Sequence, residues 1–298
     1  MSQPEISVVI PTIGRPALVA AIDSVFRQYC QPAEVVIVND SPSQDPVAPT
    51  LQFPAKELFT GGRKGAGASR NVGLRAARCE YIAFLDDDDL WLPHHLGMAS
   101  EELGRNPNLD IYCSRALVMT PDGMKSSTRV LYAGRSTVLG HFYGRFAWAG
   151  RRRSIPPSTW VFRSRCTDVL MDENVPRHED MWWLVCQGRN GRAIRQFPTF
   201  SAIYYGDPER TMQRHNIESL LAWAERVDEV EHGAGFRFLV GQIGRFHAKA
   251  GRSRELEALA HAIPATLVQP SDTRLVLQAE RLLARIVRER LPASVAPE

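Results

Sequence analysis

Four consecutive aspartates are the part of this sequence with the clearest chemical potential. Asp86, Asp87, Asp88 and Asp89 follow directly on a short apolar run. Carboxylates this close together raise one another's pKa unless a cation holds them ionised, and Mg²⁺ and Mn²⁺ prefer oxygen ligands of this kind. In an extended segment, Asp86 and Asp88 would point to one side and Asp87 and Asp89 to the other. The pattern therefore predicts a D-x-D pair that binds Mn²⁺ or Mg²⁺.

A purely structural explanation of the same tract is also open. A solvated acidic turn could cap a helix that starts near Leu92, with Asp89 near its N-terminus. Carboxylates are favourable there because they complement the helix dipole and the unpaired N–H groups of the first turn. The tract alone does not decide between these two explanations.

Two more groups of polar residues lie just beyond apolar runs. Pro11 and Thr12 close the run that begins at Ile6, and Arg15 lies in the loop that follows. Asp40 comes directly after the next such run. A carboxylate at this position could accept a hydrogen bond from a base or a ribose hydroxyl, although an Asx turn explains it equally well.

The loop that begins at residue 61 is rich in Gly and Ala and leads into a predicted helix. Small residues allow a ligand to approach the backbone closely. The loop is neither a P-loop nor a dinucleotide-binding fingerprint, because it has no G-x-x-x-x-G-K-[ST] pattern and does not follow the first strand. Arg70, at its end, could reach a phosphate or pair with the acidic tract.

The elements that position these residues follow an α/β pattern. Short β-branched runs at 6–10 and 34–39, with helical spacing over 16–29 between them, predict buried parallel strands joined by a helix. A further helix is predicted over 67–78 and a strand over 81–85. The aspartates then lie at the carboxyl end of a strand, which is where open α/β sheets bind their ligands.

The remainder of the chain predicts more strands and then mostly helix. Strands are predicted at 110–119, 160–162 and 200–204, and a helix over 180–187. After about residue 213 the pattern becomes almost wholly helical. The sequence therefore predicts an α/β domain over residues 1–212 and a helical C-terminal subdomain over residues 213–298.

The composition limits the class of protein. The chain has 298 residues, of which 44% are hydrophobic, enough for one or two globular domains. Its net charge of +3 falls short of a strongly basic signature, so no nucleic acid is expected as a partner. Five cysteines without a C-x-x-C pair argue against a disulfide framework and a cysteine zinc site. The absence of a signal-peptide pattern and of an apolar stretch of roughly 18 residues predicts a cytoplasmic protein and leaves peripheral membrane contact open.

Taken in order, these segments resemble the inverting family 2 glycosyltransferases, which have the GT-A fold, over roughly residues 5 to 215. The matching segments are a first strand ending in Pro11-Thr12, a second ending in Asn39-Asp40, the element Ser69-Arg70-Asn71-Val72-Gly73, the D-x-D tract and the acidic pair Glu179-Asp180. Each motif alone is weak, whereas all of them in this order are specific. The resemblance implies a Rossmann-like, mostly parallel sheet flanked by helices, with the C-terminal helices as an extension.

The resemblance also implies that one group of residues binds the nucleotide of a nucleoside-diphosphate sugar. These residues are Pro11, Thr12, Arg15, Asp40, Arg70 and Asp86. Pro11 and Thr12 would line the base pocket, Asp40 would contact the base, Arg70 would lie near the nucleotide and Asp86 would face the ribose. Asp88 would bind the metal that bridges the diphosphate of the donor.

By the same resemblance, Asp180 is implied as the general base, with Glu179 as the second candidate. An inverting displacement needs a base on the opposite face of the sugar, and an ionised carboxylate suits this task. Carboxylates that only stabilise the start of a helix are the structural alternative. Trp182 and Trp183 could stack on an acceptor sugar, although aromatic residues in a helix more often belong to the core. His215 could add a metal ligand, although a lone histidine is more often structural.

Together, the residues and the resemblance predict a metal-assisted inverting glycosyltransferase. The donor would be a nucleoside-diphosphate sugar, and the acceptor a hydroxyl of a glycan, a lipid-linked glycan or a small molecule. A sugar-phosphate nucleotidylyltransferase is one alternative, but it should have a Gly-rich, Arg-containing loop after the first strand, where this chain has only residues 12–16. A non-catalytic nucleotide- or glycan-binding module is the other, and it would not need Asp180. A homodimer formed through the C-terminal helices is left open.

Overall fold

A computed structural model describes residues 5–47, 54–120, 123–126, 131–134, 136–143, 154–175, 178–205 and 217–247. The chain divides into two compact units. The first comprises Met1–Val138 and Arg152–Asp207, and the second comprises Leu139–Arg151 and Pro208–Glu298. The predicted domain boundary between residues 212 and 213 lies outside the described residues and stays a prediction.

The strands and helices of the described residues are as follows. The strands are β1 Ile6–Thr12, β2 Glu34–Asn39, β3 Lys56–Phe59, β4 Tyr81–Phe84, β5 Leu90–Trp91, β6 Ile111–Thr120, β7 Gly123–Ser126, β8 Trp160–Arg163 and β9 Ile194–Tyr205. The helices are α1 Leu18–Phe26, α2 Ala66–Ala76, α3 His95–Arg105, α4 Val138–Tyr143, α5 Glu179–Arg189, α6 Ile217–Val230 and α7 Ala234–His247. Short 3-10 turns, Pro157–Thr159 and Ser164–Asp168, flank β8.

Within the described residues, the strands form one nine-stranded sheet in the order β3-β2-β1-β4-β8-β6-β9-β5, with β7 paired to β6. Neighbouring strands from β3 to β4 are parallel, and β8 is antiparallel to both β4 and β6. All seven residues of β1 and all four of β4 are buried, as expected for parallel strands covered on both faces. The carboxyl ends of β1, β2 and β4 therefore meet at one edge of the sheet.

Most of the predicted elements are present, and the differences have simple causes. The strand predicted at 34–39 is confirmed, and the helix predicted over 180–187 extends to Glu179–Arg189. Strands β3 and β5 were not predicted, because β3 is a half-exposed edge strand and β5 has only two residues, which is too short for a periodic pattern. The helix expected near Leu92 begins at His95 instead.

Helix α2 packs unusually close to β1, and a glycine makes this approach possible. A Cβ atom added at Gly73 would lie 2.2 Å from Cγ1 of Val9, which is fully buried in β1. Real side chains do not approach this closely, so any larger residue would force the helix or the strand to shift. Gly73 therefore sets the distance between the sheet and the helix that carries Arg70.

We predict that Gly73→Ala is about 1–3 kcal/mol less stable than Gly104→Ala, because overpacking typically costs about 1–3 kcal/mol and both variants replace a helical glycine, which by itself gains roughly 1 kcal/mol. Gly104→Ala is the matched control, since Gly104 is exposed on α3 and an added Cβ would meet nothing within 4 Å. Chemical denaturation of both variants measures the difference. A Gly73→Ala protein as stable as the Gly104→Ala protein would contradict the close packing.

The second unit contains the helical pair α6 and α7. Near the end of α6, Asp228 Oδ1 accepts a hydrogen bond from the backbone N–H of Gly235, in the first turn of α7, at 3.1 Å. The indole N–H of Trp223, on α6, donates to the hydroxyl of Tyr143 at 3.1 Å, and the guanidinium of Arg237, on α7, donates to the Tyr143 carbonyl at 2.5 Å. No helix that the structure describes is both long enough and apolar enough to cross a bilayer.

Candidate active site

The four aspartates form a turn rather than an extended segment. Strand β4 ends at Phe84, and the backbone N–H of Asp89 donates to the Asp86 carbonyl at 3.0 Å, which closes a turn over Asp86–Asp89. The extended backbone expected for the tract is therefore wrong, because the chain turns at the end of the strand. The expected grouping is retained in the burial of the side chains, since Asp87 and Asp89 are buried whereas Asp86 and Asp88 are partly exposed.

Asp87 connects the ends of β4 and β1. Its carboxylate accepts hydrogen bonds from Thr12 Oγ1 and Arg15 Nη1, both at 2.7 Å, and from the backbone N–H of Ile13 at 3.4 Å. Only 5% of the Asp87 side chain is exposed. Asp87 thus holds the loop after β1 in place, which explains why Thr12 is buried. Pro11 is buried beside it in β1, and contact of either residue with a base stays a prediction.

Asp88 is the most exposed member of the tract. Its side chain is 36% exposed, and its Oδ2 accepts a hydrogen bond from Arg15 Nη1 at 2.7 Å. Burial raises the pKa of Asp88, and the positive charge of Arg15 opposes this effect. Arg15 is therefore paired with Asp87 and Asp88, and its predicted contact with the nucleotide stays a prediction.

Asp89 has a structural role that differs from the expected one. It is fully buried, and its carboxylate accepts hydrogen bonds from Ser158 Oγ at 2.6 Å and from the backbone N–H of Tyr205 at 3.2 Å. Burial, and after it the charge of Asp86, raises the pKa of Asp89 well above its ordinary value. The expectation that Asp89 caps the next helix is wrong, because that helix begins at His95 without a side-chain cap.

Asp40 organises the glycine-rich loop before α2. Its two carboxylate oxygens accept hydrogen bonds from the backbone N–H groups of Lys64 and Gly65, each at 2.8 Å, and from the Thr60 hydroxyl. Asp40 is buried. The Asx-turn explanation is wrong for Asp40, because none of these partners lies two residues further along the chain. The residue that forms such a turn is Asn39, whose Oδ1 accepts a hydrogen bond from the backbone N–H of Ser41 at 2.9 Å. The predicted contact of Asp40 with a base stays a prediction.

Arg70 does not lie at the surface of the site. Its side chain is 4% exposed, and it forms ion pairs with Asp86 at 2.5 Å and with Glu179 at 3.3 Å. Burial alone would lower the pKa of Arg70, but the carboxylates of Asp86, Glu179 and Asp180 more than offset this effect and raise it. The guanidinium is enclosed and engaged by carboxylates, and the expectation that Arg70 lies near the nucleotide stays a prediction. The charge-pairing alternative is the one observed.

Glu179 and Asp180 are the first two residues of α5. Burial raises the pKa of both carboxyl groups, the charge of Asp180 raises that of Glu179 further, and Arg70 lowers both. The backbone N–H of Met181 donates to Asp180 Oδ1 at 2.7 Å and also favours the ionised form. A raised pKa makes a carboxylate a stronger base than it is at its ordinary pKa, which is what a general base requires.

Tyr204, near the end of β9, was not predicted to belong to the site. Burial and then the negative charges of Asp89, Asp86, Asp88 and Asp180 raise its pKa. Carboxylates that are far apart in the sequence therefore act on one phenol, which places Asp180 in the same charged region as the aspartate tract. The available signal was its position at the end of a predicted strand, where side chains of open α/β sheets contact ligands.

The two tryptophans after Asp180 differ. Trp183 is fully buried, stacks on Trp160 with ring centroids 5.5 Å apart, and donates its indole N–H to the Val169 carbonyl at 2.8 Å. Its predicted contact with an acceptor is wrong, because the ring has no exposed face. Trp182 is partly exposed, so its acceptor contact stays a prediction.

Of the two predicted metal ligands, Asp88 and His215, only Asp88 lies in the part of the chain that the structure describes. His215 lies outside the described residues. Among the residues that the structure does describe, no group of three or more His, Cys, Asp or Glu side chains is arranged to hold a metal ion. Metal binding by Asp88 therefore stays a prediction.

The sequence is similar to those of known glycosyltransferases. The family model described as "Glycosyl transferase family 2" matches residues 7–168. An uncharacterised glycosyltransferase of Haemophilus influenzae is 32% identical over 127 residues, covering 42% of this chain and 43% of that protein. A protein of Escherichia coli, named UDP-Glc:alpha-D-GlcNAc-diphosphoundecaprenol beta-1,3-glucosyltransferase WfgD, is 30% identical over 105 residues, covering 34% of this chain and 42% of that protein. The chain thus spans less than half the length of both relatives.

Among solved structures, a fragment of TarS from S. aureus, in complex with UDP-GlcNAc, matches with a TM-score of 0.62 at 18% sequence identity. The match covers 95% of this chain and 89% of that chain. At this identity the likeness concerns the fold, and it confirms the predicted GT-A architecture of a curled, mostly parallel sheet flanked by helices.

Proposed function

Because this chain belongs to glycosyl transferase family 2, we propose that it transfers a sugar from a nucleoside-diphosphate sugar to an acceptor hydroxyl, with inversion at the anomeric carbon. The observation that carries the proposal is the ion-pair network of Arg70, which joins Asp86 of the aspartate tract after β4 to Glu179, the residue directly before Asp180 at the start of α5. The tract offers a binding group for the leaving diphosphate, and Asp180 offers a base in the same region.

On the donor side, Asp88 is the residue best placed to meet a divalent cation. It is the most exposed carboxylate of the tract. Its Oδ2 is paired with Arg15, so a cation would compete with Arg15 for this carboxylate. Mg²⁺ is commonly held by one or two carboxylates together with substrate phosphates and waters, so a single accessible carboxylate fits this coordination. A bound Mn²⁺ or Mg²⁺ would stabilise the negative charge that grows on the diphosphate as it leaves.

On the acceptor side, Asp180 would act as the general base. The oxygen of the acceptor hydroxyl forms a bond to the anomeric carbon, and the bond from that carbon to the diphosphate oxygen breaks, with its electron pair leaving on the nucleoside diphosphate. The hydroxyl proton passes to the Asp180 carboxylate. Because attack and departure occur on opposite faces of the sugar, a single displacement of this kind inverts the anomeric centre.

Two alternatives are weighed against this proposal. The family match argues against a sugar-phosphate nucleotidylyltransferase. A non-catalytic binding module would have no use for a carboxylate with a raised pKa at Asp180. Such a module would bind a nucleotide sugar but would not cleave it, so no free nucleoside diphosphate would form. The proposed acceptor is a glycan, a lipid-linked glycan or a small molecule. The lipid-linked class has support in the name of the WfgD relative, which includes a lipid-linked acceptor.

The names of the relatives suggest UDP-linked hexoses as the first donors to test, because WfgD is named for UDP-Glc and TarS was solved with UDP-GlcNAc. We expect UDP with Mn²⁺, at about 100 times its Kd, to stabilise the protein by roughly 2.7 kcal/mol. Thermal unfolding with UDP, GDP or dTDP, each with and without Mn²⁺, measures this effect, with Mn²⁺ alone and uridine as controls. If no nucleoside diphosphate raises the melting temperature, the proposed donor class is wrong.

A further inference from the structure

Arg70 connects two acidic groups to which the proposed function gives different tasks. Its Nη2 lies 2.5 Å from Asp86 Oδ1, at the end of β4, and its Nη1 lies 3.3 Å from Glu179 Oε1, at the first residue of α5. Asp86 belongs to the tract proposed to hold the donor, and Glu179 immediately precedes the proposed base. One guanidinium therefore joins the donor-binding turn to the helix that carries the base.

The surroundings of Arg70 fix its side chain from several directions. The guanidinium carbon lies 5.8 Å from the centre of the Phe84 ring, in the last residue of β4. An added Cβ at Gly67, one turn before Arg70 on α2, would lie 3.1 Å from Cγ of Glu179, so the Glu179 side chain packs directly on the first turn of α2. A long side chain enclosed in this way has lost its rotamer freedom in the folded protein. It can therefore hold its two carboxylate partners at a fixed distance from each other.

The next residue, Asn71, makes a parallel connection. Its side-chain amide donates to the Met171 carbonyl at 2.9 Å and to Glu173 Oε1 at 2.8 Å, and its Oδ1 accepts a hydrogen bond from the backbone N–H of Met171 at 2.8 Å. These residues precede α5 in the chain. Adjacent residues of α2 thus anchor both the start of α5 and the segment before it, while Gly73 holds α2 against β1.

We infer that Arg70 is a positioning residue, which holds the start of α5, and with it Asp180, at a fixed distance from the donor-binding turn. The inference rests on the proposed function, because it assigns Asp180 the role of base. In this arrangement Arg70 acts on the reaction through Asp86 and Glu179 and does not touch the nucleotide. A misplacement of about 1 Å in reacting groups can cost about 10²-fold in rate, so the connection affects turnover more than nucleotide affinity.

Charge and shape make separate contributions to this connection. Removing the positive charge leaves Asp86 and Glu179 as half-buried carboxylates without this counter-ion, which is unfavourable. Arg70→Lys retains the charge, but an ammonium is a compact point charge and cannot span two carboxylates as a planar guanidinium does. Glu179→Gln releases the α5 end of the connection without leaving an unpaired carboxylate there.

The test uses a double-mutant cycle on the full chain, with Arg70→Lys, Glu179→Gln and the double variant. For each protein, calorimetry measures UDP affinity in the presence of Mn²⁺, and a UDP-release assay measures turnover of saturating UDP-glucose or UDP-GlcNAc with water as the acceptor. We expect turnover to fall by about 10²-fold in each single variant. We expect the Kd for UDP to remain within about twofold, and the double variant to be no slower than the slower single variant, because both changes break the same connection.

Two results would overturn the inference. A loss of about tenfold or more in UDP affinity in Arg70→Lys, with turnover at saturation retained, would mean that Arg70 supports nucleotide binding, directly or through Asp86, and does not set the position of α5. Turnover losses that multiply in the double variant would mean that Arg70 does not act through Glu179. If Arg70→Lys fails to fold, Glu179→Gln decides alone, since unchanged turnover in it removes the connection. A parent protein that neither binds UDP nor releases it from either donor would instead contradict the proposed function.

Discussion

Asp180→Asn is expected to reduce turnover of a UDP-sugar by about 10²- to 10⁴-fold while leaving UDP affinity nearly unchanged. The range is the usual contribution of a positioned general base. Asparagine has almost the same shape as aspartate but cannot accept the proton of the acceptor hydroxyl. The Met181 N–H, which donates to Asp180 Oδ1 at 2.7 Å, can donate to the amide oxygen of asparagine, so the start of α5 should be retained.

A UDP-release assay at saturating donor and calorimetry with UDP and Mn²⁺ measure the two quantities. Asp23→Asn is the control, because Asp23 is a partly exposed residue of α1 whose surface ion pair with Arg27 contributes little. Wild-type turnover in Asp180→Asn would remove this residue as the base and make Glu179 the next candidate.

The same assignment has a consequence for the pH dependence. Burial raises the pKa of Asp180, with Arg70 and the Met181 N–H opposing it. A base acts in its ionised form, so turnover should fall as the pH drops through this raised pKa, which lies above the ordinary aspartate value of about 3.9. The residual activity of Asp180→Asn should lack this acidic limb. If turnover of the variant still falls at low pH in the same way, the ionisable group responsible is not Asp180.

Asp88→Ala is expected to abolish the effect of Mn²⁺ on UDP binding. UDP affinity in the presence of Mn²⁺ should fall at least about tenfold, since the loss of even an outer partner of a metal ligand typically costs 10- to 100-fold. The reason is that Asp88 is the most exposed carboxylate of the tract, whereas Asp87 is clamped by Thr12 and Asp89 is fully buried. Asp88 is therefore the member of the tract that a cation can reach.

Calorimetry with UDP, once with Mn²⁺ and once with a chelator, separates the metal-dependent part of the UDP affinity from the metal-independent part. Affinity without the metal should be similar in Asp88→Ala and the parent, which serves as an internal control. Asp23→Ala should behave as the parent in both conditions, because Asp23 lies on the outer surface of α1. If the parent itself binds UDP equally well with the chelator, the metal has no part in donor binding and the role proposed for Asp88 is wrong.

The aspartate tract illustrates how far sequence reasoning reaches. Its position after a buried strand was predictable, because apolar β-branched runs identify buried parallel strands and ligands bind at their carboxyl ends. The partners of the individual carboxylates were not predictable, because these partners lie far away in the sequence. The turn brings Asp86 to Arg70, Asp87 to Thr12 and Asp89 to Ser158.

Two other residues show the same limit. Trp183 follows Asp180 closely and was predicted to contact an acceptor, but the geometry of α5 turns its ring towards Trp160 and into the core. Tyr204 received no role from the sequence, because its relation to Asp88 and Asp180 exists only after β9 has joined the sheet. The direction of a side chain depends on packing partners that local patterns do not contain.

The sequence by itself determined the class of the fold, the family, and the carboxylates that are candidates for chemistry, because periodicity and motif order are local properties of the chain. Only the tertiary structure decided which of those residues are available to a substrate. Arg70 was assigned to the nucleotide from its place in a motif, whereas the fold buries it between Asp86 and Glu179. The physical reason is that burial and charge pairing are set by contacts between segments far apart in sequence. Those contacts determine whether a charged side chain meets solvent, substrate or another charge.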